Sequence, residues 1–369
     1  MSPPQWINSD AALNDWLQAH LPAAALIGMD TEFMRESTYY PRLALVQLAA
    51  GTGIALLDPL ACTAQGLRNA LDAMPARCVL HSASEDIEAL RGLLPDGPPR
   101  LYDTQIAAAF AGLGAGIGYQ ALVARLTGIE LPKDATRSDW LQRPLNARQL
   151  DYAAQDVAHL QILHERLDTM IRARGYAAWL DEDCARLQQR AHEVPDAQPQ
   201  QRLRGASGWP QPALARLRAL LLWRENTARA QDVPRNWLLR DEHALDLARH
   251  PPGSLDALRE RTRGLRALRS AQLAALWQHL QQPLEPDFVA ATAAPGDAAR
   301  PAEKRAIEAL RAHVEHEAAR LDLPAGLLFP RRHIEAFVAQ RAWPEAAGIW
   351  RRTLLEAPLC ALLPDAGAH

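Results

Sequence analysis

The chain has 369 residues, 48% hydrophobic and 22% charged, with a formal net charge of −3 at neutral pH. Such proportions describe a soluble globular protein of two or three domains, and no apolar run approaches the roughly 20 residues that span a bilayer. The four cysteines are scattered and the N-terminus lacks the basic and apolar segments of a secretion signal, which excludes a disulfide scaffold or zinc knuckle and points to a cytoplasmic protein with no membrane contact.

Residues 8–20 predict an amphipathic helix with Leu13, Trp16 and Leu17 on one face. Residues 23–33 predict a buried strand. On it Asp30 and Glu32, two positions apart, project from one side, while Met29, Thr31 and Phe33 point to the other. Two carboxylates side by side on an apolar strand repel each other, and the pattern makes sense with a divalent cation between them. Residues 43–49 and 54–58, joined across Gly51-Thr52-Gly53, predict a hairpin. Residues 77–81 read as a fourth strand. Ser82 and Glu85 then have capping-box spacing, which puts Asp86 in the first turn of the following helix.

Residues 101–103 predict a fifth strand, after which the chain turns helical to about residue 190. Gly112, Gly114, Gly116 and Gly118 miss the dinucleotide fingerprint and read as a turn. Asn146 and Gln149 predict the capped start of a helix carrying Tyr152 and Asp156, four apart and on one face, over an apolar stripe of Leu150, Ala153, Val157 and Leu160. The order of elements predicts an α/β domain with a mixed sheet. Residues 191–208 and 282–300 read as linkers, and the stretches after each read as small helical bundles broken at prolines. Charge divides along the same line. Residues 1–200 carry 16 Lys+Arg against 24 Asp+Glu, and residues 201–369 carry 24 against 19. An acidic front suits a metal-binding catalytic domain, and a basic rear suits a polyanion.

The runs Met29-Asp30-Thr31-Glu32-Phe33, Pro41 through Gln47, His81 through Asp86, Arg137 through Leu145 and Gln149 through Val157 together resemble the DEDD exonuclease superfamily, and within it the ribonuclease D family. The tyrosine four residues before the last aspartate is similar to the tyrosine branch. Asp151 stands where the histidine branch has its histidine, which leaves His159 and His164 as helix-surface residues. Residues 222–229, 233–236 and 241–245 resemble the helicase-and-ribonuclease-D C-terminal (HRDC) domain, and 301–362 resembles a diverged second copy.

The resemblance implies a ribonuclease H-like exonuclease domain over residues 1–195, followed by two small all-α HRDC-type domains at 209–282 and 301–365. It implies catalytic residues Asp30, Glu32, Asp86, Tyr152 and Asp156, the four acids holding two divalent ions, Mg²⁺ or Mn²⁺. Asp30 would bridge the ions, Glu32 and Asp156 would complete one shell, Asp86 would hold the second ion, and Tyr152 would orient the attacking water. The expected reaction is 3′→5′ release of nucleoside 5′-monophosphates from RNA with a 3′-hydroxyl end, tRNA precursors included, by a monomer. Lys133, Arg137 and Arg143 are candidate phosphate contacts, and Phe33 is read as core rather than as a wedge against the terminal base. A DNA exonuclease of the proofreading or Werner type and an inactive nucleic-acid-binding module are the competing expectations.

Overall fold

The computed structural model describes residues 3–73, 75–132, 138–192, 196–295 and 301–363. Its six strands are β1 (Gln5–Ile7), β2 (Leu26–Met34), β3 (Arg42–Ala50), β4 (Gly53–Leu57), β5 (Arg77–Leu80) and β6 (Leu101–Asp103). They form one sheet in the order β1-β4-β3-β2-β5-β6, antiparallel at β2–β3 and β3–β4 and parallel elsewhere. The mixed-sheet α/β expectation is met. Three-residue β1 adds an edge strand that is too short to show an alternation in sequence.

Helices of this part of the chain are α1 (Asp10–His20), α2 (Gln65–Ala73), α3 (Ser84–Ala89), α4 (Thr104–Phe110), α5 (Tyr119–Thr127), α6 (Ala147–Ala158), α7 (Leu160–Arg174) and α8 (Ala177–Gln189). The Asn146–Gln149 capping box forms as read, each side chain bonding the other residue's backbone N–H at 3.0 Å. The box expected at Ser82 and Glu85 does not. The residue before α3 is Ala83, which offers no side-chain cap, and Ser82 takes φ +60. The backbone N–H groups of Ser82 and Ala83 instead donate to the Asp103 carboxylate at 3.2 and 2.8 Å. That carboxylate also caps α4, accepting from Gln105 and Ile106 at 2.8 and 3.1 Å. One buried acid therefore ties the start of α3 to the end of β6.

Two compact units divide the chain. The first comprises residues 1–34, 42–193 and 301–369, and the second residues 35–41 and 194–300. In the second unit lie α9 (Gln211–Gln231), α10 (Arg235–Leu238), α11 (Asp241–Arg249), α12 (Leu255–Arg261), α13 (Ser270–Gln281) and α14 (Pro286–Ala290). Its core gathers Leu214, Leu217, Leu221, Leu247, Leu258 and Leu276. Residues 196–208 and 282–295, from the two stretches read as linkers, belong to this folded unit. Gln200 is fully buried and its amide donates to the Ala293 carbonyl at 2.7 Å, while Gln211 on α9 donates to the carbonyls of Val289 and Thr292. Glutamine amides thus satisfy the turn carbonyls that a solvated linker would leave to water. Tyr39 also belongs here, its hydroxyl sharing Glu225 with Arg229 and Arg235.

The last helices, α15 (Pro301–Leu321), α16 (Ala325–Leu328), α17 (Arg331–Gln340) and α18 (Ile349–Ala361), return to the first unit. Arg351 forms a two-pronged ion pair with Asp183 of α8 at 2.6 and 2.7 Å, and Trp350 stacks on Trp179 with ring centroids 4.4 Å apart. Glu182 accepts the Ile349 and Trp350 N–H groups at the start of α18, where a negative charge also meets the helix dipole.

One glycine sets how closely helices approach the sheet. A Cβ on Gly28 would lie 3.2 Å from two Leu160 side-chain atoms and 3.4 Å from the Ala49 Cβ. Leu160 opens α7, directly after the helix that carries Asp156. Gly28→Val is therefore expected to cost about 1–3 kcal/mol by overpacking. It should also weaken catalysis by pushing Asp156 away from β2, a combination that denaturant melts and turnover measured together will reveal.

Candidate active site

The site is built where β2 outruns its neighbour. Parallel pairing with β5 covers only Leu26, Ile27 and Gly28, so the following residues of β2 extend past the end of β5. β2 stays in regular register with β3 through Glu32, which keeps Asp30 and Glu32 on the same face. A register shift between Glu32 and Phe33 ends that regularity, and Phe33 is half-buried. Across this face lies α6, anchored by the segment before it. Trp140, Leu145 and Ala153 form a cluster with Leu45 and Leu56 of the sheet, and the Tyr152 ring lies 6.0 Å from that of Trp140.

This packing brings Asp156 to the β2 pair. One carboxylate oxygen each from Asp30, Glu32 and Asp156 lie within 4.8 Å of one another. Asp86 stands outside that trio, and its carboxylate accepts a 2.5 Å hydrogen bond from the buried Thr31 hydroxyl. It is close enough to raise the pKa values of both β2 acids. Tyr152 stands one turn before Asp156 on α6, and its hydroxyl acts to lower the Asp156 pKa.

Electrostatics mark a site with surplus negative charge. Burial, then the charges of Asp86, Asp156 and Glu32, push Asp30 well above the ordinary carboxylate range. Burial, then Asp156 and Asp86, lift Glu32 to about 8. Burial lifts Asp156 to about 7 against the opposing Tyr152 hydrogen bond, and Asp86 to about 6 against the Thr31 bond. Tyr152 is pushed up by burial and by the Asp156 and Glu32 charges, so its hydroxyl keeps its proton. Three converging carboxylates that resist ionisation, offering only hard oxygen donors, fit a divalent cation of the Mg²⁺ type better than zinc.

A pH dependence follows. Carboxyls whose folded pKa exceeds the unfolded value of about 4 bind more protons folded than unfolded across that interval. Their contribution to stability is complete below about pH 4 and is lost as pH rises through the folded values, which run from about 6 to about 8. The melting temperature of cation-free protein should fall between about pH 6 and pH 8.5. Added Mg²⁺ should raise it more at the higher pH, because the cation competes with protons for the same oxygens. Equal Mg²⁺ shifts at both pH values would contradict this account.

Sequence reasoning missed several supporting groups. Thr31 was assigned only to the far face, although its hydroxyl holds Asp86. Asp103 fixes the turn before α3, and its position between a strand and a helix was a cap signal that could have been read. The Tyr119 hydroxyl donates to the Gln155 carbonyl at 2.8 Å and accepts from the His159 N–H at 3.3 Å, bracing the end of α6. Two readings are corrected. Arg143 is no phosphate contact: its guanidinium is bound by Asp58 at 2.7 and 2.8 Å and by the Ala44 carbonyl at 2.6 Å. His164 is half-buried rather than exposed, its ring 4.5 Å from that of Tyr102 and its ring nitrogens buried. Lys133 and Arg137 lie outside the described residues.

A mixed sheet with a carboxylate pair on its central strand, joined by an aspartate from a helix across its face, defines a nuclease of the 3′–5′ exonuclease class. Residues 4–172 match the family described as 3′-5′ exonuclease, and residues 213–270 match the HRDC domain. The chain is 43% identical over 362 residues to ribonuclease D of Xanthomonas oryzae pv. oryzae, covering 98% of each. It is 38% identical over 258 residues to ribonuclease D of Escherichia coli K12, covering 69% of this chain and 68% of the relative. The crystal structure of E. coli RNase D, described as an exoribonuclease involved in structured RNA processing, superposes with a TM-score of 0.85 at 32% identity, covering 97% and 98% of the two chains. The chain belongs to the ribonuclease D family. It is a 3′–5′ exoribonuclease, a hydrolase of the DEDD type followed by an HRDC region.

Proposed function

We propose that Asp30, Glu32 and Asp156 hold one divalent cation, that Asp86 serves a second with Asp30 shared between them, and that Mg²⁺ or Mn²⁺ fills both positions. The convergence of three carboxylate oxygens within 4.8 Å carries this reading. Bound there, such ions would offset the charge of the scissile phosphate and ease deprotonation of water. The chain's own groups supply the rest. Tyr152 keeps its proton, and its hydroxyl, on the same helix face one turn from Asp156, would orient the attacking water. Thr31 holds Asp86 in position. A cavity of about 160 Å³ bordered by Tyr152, Asp156, Gln120 and Arg148 offers room beside these groups for part of a terminal nucleotide.

The products are nucleoside 5′-monophosphates released from a 3′-hydroxyl end, and the natural substrates are tRNA precursors and other stable RNAs. The HRDC match beside the nuclease favours RNA of this kind over a DNA primer end. We take 1–195 as the catalytic domain, 209–282 as the first HRDC domain and 301–365 as its diverged copy, in a monomeric enzyme of the cytoplasm. Among the described residues no helix is long and apolar enough to cross a membrane.

The test compares matched 5′-labelled RNA and DNA strands bearing 3′-hydroxyl or 3′-phosphate ends, with Mg²⁺ or Mn²⁺. Stepwise shortening of the 3′-hydroxyl RNA with 5′-monophosphate release is expected. Preferred degradation of DNA, or release of 3′-monophosphates, would overturn the proposal.

A further inference from the structure

Gln47 stands directly opposite Asp30 in the antiparallel β2–β3 ladder, so the two side chains leave the same face of the sheet. It is completely buried, and neither its amide oxygen nor its amide nitrogen has a hydrogen-bond partner. Its cross-strand neighbour on β4 is Leu56, and Leu45 precedes it on the same face. The cluster around those two leucines closes with Ala153 of α6. An amide left unbonded in such a layer is destabilising, and native proteins leave few buried polar groups in that state. A leucine or methionine would fill the position without that cost. The amide therefore has a use that packing does not supply.

Asp30, its partner across the ladder, is a polar group within reach of the amide. Opposed residues in such a ladder have Cβ atoms about 4.5–5.5 Å apart, a gap that a glutamine and an aspartate can close by rotating their side chains. Glu32 faces Leu45 across the ladder and has no comparable neighbour there.

We propose that Gln47 is the positioning residue for Asp30, its amide N–H donating to the Asp30 carboxylate when that carboxylate is committed to a divalent cation. The inference rests on the cation reading given above. Hydrogen bonds of this outer kind orient a ligand and increase its affinity for the ion, and their removal typically weakens metal binding about 10–100-fold. The amide nitrogen without a partner is the group waiting for that contact.

The test uses the full chain without RNA, titrating Mn²⁺ into wild type, Gln47→Leu and Asp30→Asn by calorimetry, with melting of each cation-free protein alongside. Gln47→Leu is expected to bind Mn²⁺ about tenfold more weakly than wild type. Its cation-free melting temperature should be unchanged or higher, because an unbonded amide has been replaced by an apolar group. A role in packing alone would show the reverse, a lower melting temperature with wild-type affinity, and would overturn the proposal. So would wild-type affinity with any melting behaviour. Should Gln47→Leu fail to fold, Gln47→Met, unbranched and of similar length, carries the same comparison. Asp30→Asn separates the two ideas. If it binds Mn²⁺ as wild type does, the cation reading itself fails. If it loses binding while Gln47→Leu keeps it, only the role of Gln47 falls.

Discussion

Asp30→Asn should abolish turnover and, in the absence of divalent cation, make the protein more stable. The activity loss is expected to be on the order of 10³-fold or more, because the substitution removes a charge placed to stabilise the reacting phosphate through the ions it binds. The gain in stability has a separate origin. Asp30 is buried among Asp86, Asp156 and Glu32, and burial together with those charges drives its pKa far up. Ionised without a cation, it destabilises the fold, whereas an asparagine amide of the same shape carries no charge to bury. Removing it should therefore relieve strain that function requires, by roughly 0.5–2 kcal/mol near pH 8. Two measurements check the pair: turnover on 3′-hydroxyl RNA, and denaturant melts with a chelator present. Because a proton can neutralise the wild-type acid, the stability gain should shrink towards about pH 5. A variant that lost activity by unfolding would instead melt lower at every pH.

How much of this was legible beforehand depended on how local each interaction is. The shared face of Asp30 and Glu32 could be read because alternation on β2 is a property of consecutive residues, and the register stays regular through Glu32. The capped start of α6 could be read for the same reason, since both halves of the Asn146–Gln149 box lie within one turn. Convergence of Asp156 with the strand pair could not be read from spacing, and was expected only through a family resemblance. Thr31 illustrates what was hidden. Its bond to Asp86 exists because β2 continues past the last residue paired with β5, and the two bonded residues lie 55 apart in sequence. Arg143 reads as a candidate phosphate contact because its partner, Asp58, lies 85 residues away and nothing local announces it. The stretch around Gln200 reads as linker because it is polar and proline-bearing, and nothing local reveals that a glutamine amide is matched to the Ala293 carbonyl.

The ion pair of Asp183 with Arg351 lies beyond any local reading, and its loss should have the largest effect on stability. Their side chains are only 10% and 9% exposed, and Arg351 also donates to the Leu327 and Ala347 carbonyls. Asp183→Ala would leave the guanidinium buried without its counter-charge, a change that costs about 3–5 kcal/mol. Asp183 also accepts from the Trp350 indole, so the same substitution removes a second bond at the start of α18. A drop of roughly 10 °C in melting temperature is expected for a unit of this size. The surface pair Arg352–Glu356 provides the contrast, being 58% and 32% exposed on the same helix. Arg352→Ala should change stability by no more than about 0.5 kcal/mol. If the cost at Asp183 arises from an unpaired buried charge rather than from lost packing, the double replacement Asp183→Leu with Arg351→Met should recover much of it, since apolar partners can replace a buried ion pair. Recovery would assign the cost to the orphaned guanidinium, and a double variant as unstable as Asp183→Ala would assign it to the hydrogen bonds that fasten α18 to α8.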